Sequence, residues 1–290
     1  MQTVYIGNTL VNDVMLGSQR MDDVLTALQP IQIEYLVVAG GGGTKGQAAG
    51  GGGGGGLLSG SANLARNIIY KVQVGGGGNP ENDITSGNGL SSYLTGSNLY
   101  VTASGGGFGG TVLQIGGNGA NGGGAGINTD NATYYAGGTG SLGFNGGGGA
   151  NTANSGSGGG AGAGQPGNFG LWSKGGNGLQ SAIAGTLKYY AGGGGGQDFG
   201  GNSVAGGFGG GASGSENLSD GGNHLGGGAG GGLSSPEAGW NYGGSGIVIV
   251  RYLGPQKATG GTVTTDGDYI IHSFTSSLRL VSANFDLQTN

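Results

Sequence analysis

The chain has 290 residues, of which 83 are glycine, 34% are hydrophobic and 8% are charged. Ordinary domains carry roughly 7% glycine, so large side chains are too scarce here for a conventional core, while the low charge is equally unlike a solvated disordered tail. Nine basic against fourteen acidic residues, a formal net charge of −5, argue against a nucleic-acid partner, and zero cysteines exclude disulfides, thiolate metal sites and a cysteine nucleophile.

The start, Met1-Gln2-Thr3-Val4-Tyr5-Ile6-Gly7, lacks the charged and apolar stretches of a signal peptide, and no window holds about 18 consecutive apolar residues, which predicts a soluble chain without membrane insertion. Residues 1–30 contain a ten-residue repeat, Val4 to Asp13 followed by Val14 to Asp23, with Val24-Leu25 opening a third unit. Short apolar strands broken by Gly7-Asn8 and Gly17-Ser18 suit a β-meander that cannot bury both of its faces alone. Val4, Ile6, Val14, Leu16 and Val24 are therefore candidates for docking or trimer formation. The plainer reading is a hairpin folded back on its own body, with Asp22 to Leu28 as a helical turn or two.

Residues 31–254 form the glycine-rich segment. Two strands that are apolar on both faces frame it, Ile33 to Ala39 and Ile247 to Leu253, and they are expected to be neighbours in a sheet covered on both sides. Glu34 and Arg251 are placed to pair across them, edge solvation being the alternative. Weaker strands are expected at Ile68 to Val74, Leu99 to Ala103, Val112 to Ile115 and Leu187 to Tyr190. Between the frames lie eleven runs of three or more glycines, the longest Gly50 to Gly56.

These runs hold no strict every-third register, which excludes collagen, and they are punctuated by aromatics that flexible linkers lack. Polyglycine can adopt an extended left-handed helix of three residues per turn. Fixing each backbone costs about 1–2 kcal/mol, while an N–H···O bond returns about 0.5–1.5 and a Cα–H···O contact about 0.5–1, so such helices must pack cooperatively among several others. The predicted fold class is thus mostly irregular and β: packed polyglycine II helices framed by β-strands, with short β modules at both ends and little α-helix. Residues 255–290 read as the C-terminal β module, with Asp266-Gly267 as a hairpin turn between Thr262 to Thr265 and Asp268 to Phe274.

No catalytic motif survives inspection. Gly40-Gly41-Gly42-Gly43-Thr44-Lys45-Gly46 fails as a phosphate loop, because Lys45 follows a threonine and precedes a glycine where Ser or Thr would hold Mg²⁺. There is no Gly-x-Ser-x-Gly elbow, and the aspartates lack the nine-residue spacing of calcium-binding β-rolls. His272 reads as a strand histidine, and Asp22-Asp23 or Asp266 and Asp268 as turn residues rather than a glycosidase pair. No cofactor, metal site or enzyme activity is expected.

The phrases Glu34-Tyr35-Leu36-Val37-Val38-Ala39-Gly40-Gly41-Gly42-Gly43, Gly53 to Leu58, Tyr70 to Gly78 and Gly243 to Tyr252 carry a resemblance. Over roughly residues 32–253 the sequence resembles the glycine-rich domain of bacteriophage virion proteins. Ala258 to Ser277 is similar to a short β module that often follows it in phage fibres, although Leu278-Arg279-Leu280-Val281 stands where that module continues with a Gly-Thr-Phe strand. The alternation of glycine runs with aromatic and Asn-rich insertions is also similar to the tip adhesins of T-even-like phages. The resemblance implies a tail fibre or tail-tip location, other virion proteins as partners, and a host glycan or outer-membrane protein as receptor. A capsid decoration or self-assembling extracellular fibre is the structural alternative, and a flat ice-binding bundle a more distant one. Receptor-binding candidates are Tyr134, Tyr135, Phe144, Phe169, Trp172, Tyr189, Tyr190, Trp240 and Tyr242, since Tyr and Trp offer flat faces with polar tips. The same aromatics are alternatively the caps of the glycine bundle. The insertions 125–145, 161–191 and 212–225 are long enough to project.

Overall fold

The computed structural model describes residues 29–275 and 280–286, except 47, 66–67, 82–86, 97, 128–134, 150–155, 171–172, 198–201, 216, 218 and 233–238; at 4–6, 9–11, 15–16, 19–20 and 280–286 it describes the strand backbone alone. The regular elements among these residues are all β-strands, with no α-helix.

Strands β1 (Val4–Ile6) and β2 (Thr9–Val11) form one hairpin, and β3 (Met15–Leu16) and β4 (Gln19–Arg20) a second. The closing pairs Ile6↔Thr9 and Leu16↔Gln19 lie ten residues apart, in step with the sequence repeat. Val4 and Ile6 fall on β1 and Leu16 on β3, whereas Val14, Val24 and the segment 22–28 lie outside the described residues.

The framing strands are neighbours as expected. β5 (Ile31–Val38) pairs antiparallel with β14 (Ile247–Leu253), Glu34 opposite Arg251. Further strands are β6 (Thr44–Lys45), β7 (Leu57–Leu64), β8 (Ile69–Gly75), β9 (Ser92–Gly96), β10 (Leu99–Ala103), β11 (Leu179–Ser181), β12 (Lys188–Tyr190), β13 (Trp240–Asn241), β15 (Thr262–Asp266), β16 (Tyr269–Phe274) and β17 (Leu280–Asp286). One sheet runs β15-β16-β14-β5-β7 and another β10-β9-β8-β17, while β11-β12 and β13-β6 are short pairs. Strands after residue 254 therefore extend sheets begun before it.

Alternation along β5 and β14 divides their side chains between two cores. Ile31, Ile33, Val37, Val248, Val250 and Tyr252 meet Tyr70, Val72, Val74, Leu94 and Val101 of the second sheet. Leu36, Val38, Ile247 and Ile249 on the opposite face meet Ile183, Tyr190 and Ala191. This two-sided cover is why both strands read as continuously apolar. Strand β7 carries Gly60 opposite Tyr35; a Cβ there would sit 2.6 Å from the Tyr35 hydroxyl, so the ring lies where a side chain would be.

Two expectations need correction. Val112 to Ile115 is a turn rather than a strand: Gln114 N–H donates to Thr111 O at 3.0 Å, its side-chain oxygen accepts from Thr111, and Leu113 takes φ +59°. The C-terminal hairpin turns at Gly267-Asp268, one residue later than expected, because Asp266 pairs with Tyr269 and Gly267 supplies φ +55° at the first turn position.

The sandwich strands run on into glycine segments, and the central one, Gly50–Gly56, sets the pattern. Gly50, Gly53 and Gly56 donate to Gly110, Gly107 and Ser104; Gly51 and Gly54 to Gly158 and Ala161; Gly52 and Gly55 to Ala229 and Gly226, all at 2.8–3.0 Å. The partner changes at every residue and returns after three. Ideal Cβ atoms at the same glycines would lie 2.0–2.6 Å from carbonyl oxygens, those of Asn121 and Gly124, Ala191 and Gly194, Ala39 and Gly42, and Ser104 for Gly56. Six segments thus surround this one, at separations that exclude any side chain. Buried polar residues plug the lattice by bonding to its backbone, as Asn121 Nδ2 does to Gly54 O and Gly55 O at 3.0 and 2.9 Å.

A Cβ at Gly53 would stand 2.2 Å from Asn121 O. Gly53→Val is expected to destabilise the chain by about 3 kcal/mol or more, seen as loss of a cooperative melt. Gln165→Ala in an exposed turn leaves the melting temperature unchanged, and equal melts for the two variants would contradict the close packing.

Candidate functional site

With the glycine segments occupied by one another, chemistry is left to side chains at their ends. The Gly40–Gly43 run shows why it is no phosphate cradle: its four N–H groups already donate to Leu90, Gly244, Gly53 and Gly87 carbonyls. Among the described residues no group of three or more His, Asp or Glu is placed to hold a metal ion, and no helix is long and apolar enough to cross a membrane.

The predicted aromatics fall into separate places. Tyr134 and Trp172 lie outside the described residues. Phe144 and Phe169 are exposed, on neighbouring turns joined by Gly167 N–H to Asn145 O at 3.2 Å, and Tyr135 is half-buried in a bridge to Gly149. Tyr189 packs on exposed Phe208, their ring centroids 5.4 Å apart, with Leu179 and Leu187 also exposed on the β11-β12 pair. Trp240 is partly exposed on β13; Tyr242 is half-buried, its hydroxyl donating to Glu81. Tyr190 is 2% exposed in the second core, and burial raises its phenol above 10.0. Its side chain is shut away from any partner, because it alternates with Tyr189 across β12.

The asparagines have a role that spacing alone did not disclose. The Oδ1 atoms of Asn88, Asn118, Asn177, Asn223 and Asn241 accept from the backbone N–H of Phe108, Thr139, Phe208, Ser245 and Ser219 at 2.8–3.0 Å, and Asp220 Oδ1 accepts from Tyr242 N–H at 2.7 Å. Most partners are 20–22 residues away. Each carbonyl or carboxylate braces the turn of one segment against the next, which fixes the orientation of the side chain.

Two concavities lie among the described residues near these groups. One, about 360 Å³, lies beside the β5-β14 edge. There Arg251 donates to Glu34 Oε2 from Nε at 3.0 Å and Nη2 at 2.7 Å, and lies 4.3 Å from the Tyr269 ring centroid. The pair forms across the strands as its register allows, on the rim of the second core. The other, an open trough of about 380 Å³, is lined by Asn88, Ser104, Asn118, Thr139 and Ser141 above glycine backbone, without any ionisable side chain.

With this geometry in place, one comparison identifies the family. The chain belongs to the glycine-rich domain family, whose model matches residues 26–253. No curated protein matches it.

Within this glycine-rich domain protein His272 is fully buried. Nδ1–H donates to Gly260 O at 2.8 Å, and Nε2 accepts from the Tyr252 hydroxyl at 3.0 Å, which itself accepts from Lys257 N–H at 3.0 Å. The ring therefore braces the loop after β14 in its neutral form, and burial holds its pKa below the ordinary 6.5. The unfolded chain binds the proton first as pH falls, so this contribution is present above pH 6.5 and is lost below it, by at most about 1.4 kcal/mol per pH unit. Melting temperatures from pH 7.5 to 5.5 should fall in the native protein and fall less steeply in His272→Gln, which starts lower. Parallel slopes would show that the ring does not titrate with unfolding.

Proposed function

We propose that this chain is a bacteriophage virion protein, a tail fibre or tail-tip adhesin that binds a host surface glycan or outer-membrane protein without catalysis. In this reading the glycine segments are polyglycine II helices, residues 1–30 dock the chain to other tail proteins or form a trimer, and the protein is carried on the virion tail and is extracellular after release. The observation that carries it is the three-residue return of hydrogen-bond partners along Gly50–Gly56. That repeat matches three residues per turn, and a lattice of uniform backbone cannot tell one partner from another. Discrimination then rests with side chains at the turns, where Phe144, Phe169 and Trp240 are exposed.

A purely structural role, as capsid decoration or fibre, is favoured by one feature: β15 is an edge strand with all five residues exposed, a template for pairing with another copy.

Immuno-electron microscopy of phage particles with antibody to this chain separates the readings. Label at the tail end supports adhesion, label on the head supports decoration, and unlabelled particles refute both. In labelled phage, Phe144→Ala with Phe169→Ala is expected to lower adsorption about tenfold, equivalent to about 1.4 kcal/mol, at an unchanged melting temperature. Full adsorption favours the structural role, and polysaccharide cleavage by the purified chain would refute the non-enzymatic reading. Deleting residues 1–30 should abolish incorporation into the particle while the remainder keeps its melt; normal incorporation would remove the docking role.

A further inference from the structure

We propose that the trough is a binding site for a short neutral saccharide, a ligand class that deepens the adhesion reading and is tested apart from it. Four polar-glycine pairs meet there: Asn88-Gly89, Ser104-Gly105, Asn118-Gly119 and Thr139-Gly140. They come from separate passes of the chain, and each pass contributes the same two-residue phrase at the same place. The glycines are required by packing, since a Cβ at Gly105 would lie 1.8 Å from Gly89 O and one at Gly119 2.2 Å from Gly107 N.

The polar residues beside them carry groups that the lattice leaves unused. The Ser104 and Thr139 hydroxyls and Asn118 Nδ2 have no hydrogen-bond partner among the described residues, nor have Gly105 N–H and Gly89 C=O on the floor. The trough thus offers two N–H donors, two hydroxyls that donate or accept, and a carbonyl acceptor within one concavity. Asn88 and Asn118 are held in place through Oδ1, by Phe108 N–H at 2.9 Å and Thr139 N–H at 2.8 Å, so the Asn118 amide is oriented before any ligand arrives.

This donor and acceptor set selects its ligand. An anion would lose its water with no cation in the lining to replace it, and an apolar ligand would leave the donors unsatisfied. A chain of vicinal hydroxyls satisfies both kinds of group, and about 380 Å³ lies within the range of small-ligand sites.

The test is a titration of the full chain with maltotriose, cellotriose and triacetylchitotriose, with trigalacturonic acid as the anionic control, followed by amide NMR and calorimetry. At least one neutral sugar is expected to shift Gly105, Asn118 and Thr139 with a millimolar or tighter Kd, and the acid to shift none. Asn118→Asp keeps the acceptor for Thr139 N–H while removing the donor, and Ser104→Ala removes one hydroxyl. Each is expected to weaken binding about tenfold at an unchanged melting temperature. Silence with all three sugars, shifts confined to other residues, native affinity in both variants, or equal binding of the acid would each overturn the site. Loss of adsorption in the phenylalanine variant without any sugar shift would leave adhesion standing and remove the trough. Sugar binding by a chain missing from the phage particle would do the reverse.

Discussion

Everything in this molecule depends on backbone meeting backbone with no Cβ between. Each glycine from Gly50 to Gly55 gains one N–H···O bond and one close approach to a carbonyl oxygen, and the two fall to partners on different segments. A lone segment has no bonds of its own, and glycine loses more freedom on ordering than any other residue. Order must therefore arrive for many segments together. The β-sandwich supplies the template. Its strands fix the direction and spacing of the runs that continue them, as β5 does for Gly40–Gly43 and β7 for Gly50–Gly56.

The change from strand to glycine run is a change of period. A strand bonds to two neighbours in one plane and points alternate side chains to two faces. In Gly50–Gly56 the donors instead address three neighbours in turn, and the directions that would have held side chains are filled by three more. The first arrangement buries Val and Ile, and the second can admit almost nothing larger than hydrogen. Alanines are fully buried before the glycine runs at 39 and 191 and within them at 161 and 229, and Asn121 enters because its amide bonds to the lattice itself. The heavy glycine content is thus a steric demand made position by position.

That demand also explains which parts were legible in sequence. β5 and β14 were, because a strand covered on both faces leaves no polar alternation, and the Glu34–Arg251 register followed from their pairing. The ten-residue repeat suggested a meander, and among the described residues its strands pair as two separate hairpins in step with it. Strand β7 was hidden, since Ser59-Gly60-Ser61 has no apolar rhythm and Gly60 is there to accommodate the Tyr35 ring from across the sheet. Val112 to Ile115 misled in the other direction: its apolar residues form a turn closed by Thr111 and Gln114. The Tyr189-Tyr190 dipeptide looked like one binding feature, yet alternation sends Tyr190 into the core and leaves Tyr189 against Phe208. No local signal separates the two without knowing which sheet face is covered. The trough was legible only as four scattered Asn-Gly, Ser-Gly and Thr-Gly pairs, because their convergence depends on the stacking of passes up to about fifty residues apart.

The asparagine braces connect the lattice to its surface. A turn between two glycine segments has little of its own to hold it, because its flanks carry no side chains to pack. Asn88, Asn118, Asn177 and Asn223 meet this need by bonding across to the next turn, so the ends of the lattice are fixed in sequence from one pass to another. A substitution of a side chain that takes no part in a brace, such as the Ser104 or Thr139 hydroxyl, alters the surface chemistry and leaves both lattice and brace intact. A substitution at a bracing Oδ1 alters two turns together. Surface chemistry can therefore change at the first kind of position while the second preserves the shape of the surface, and the two kinds alternate within a single trough.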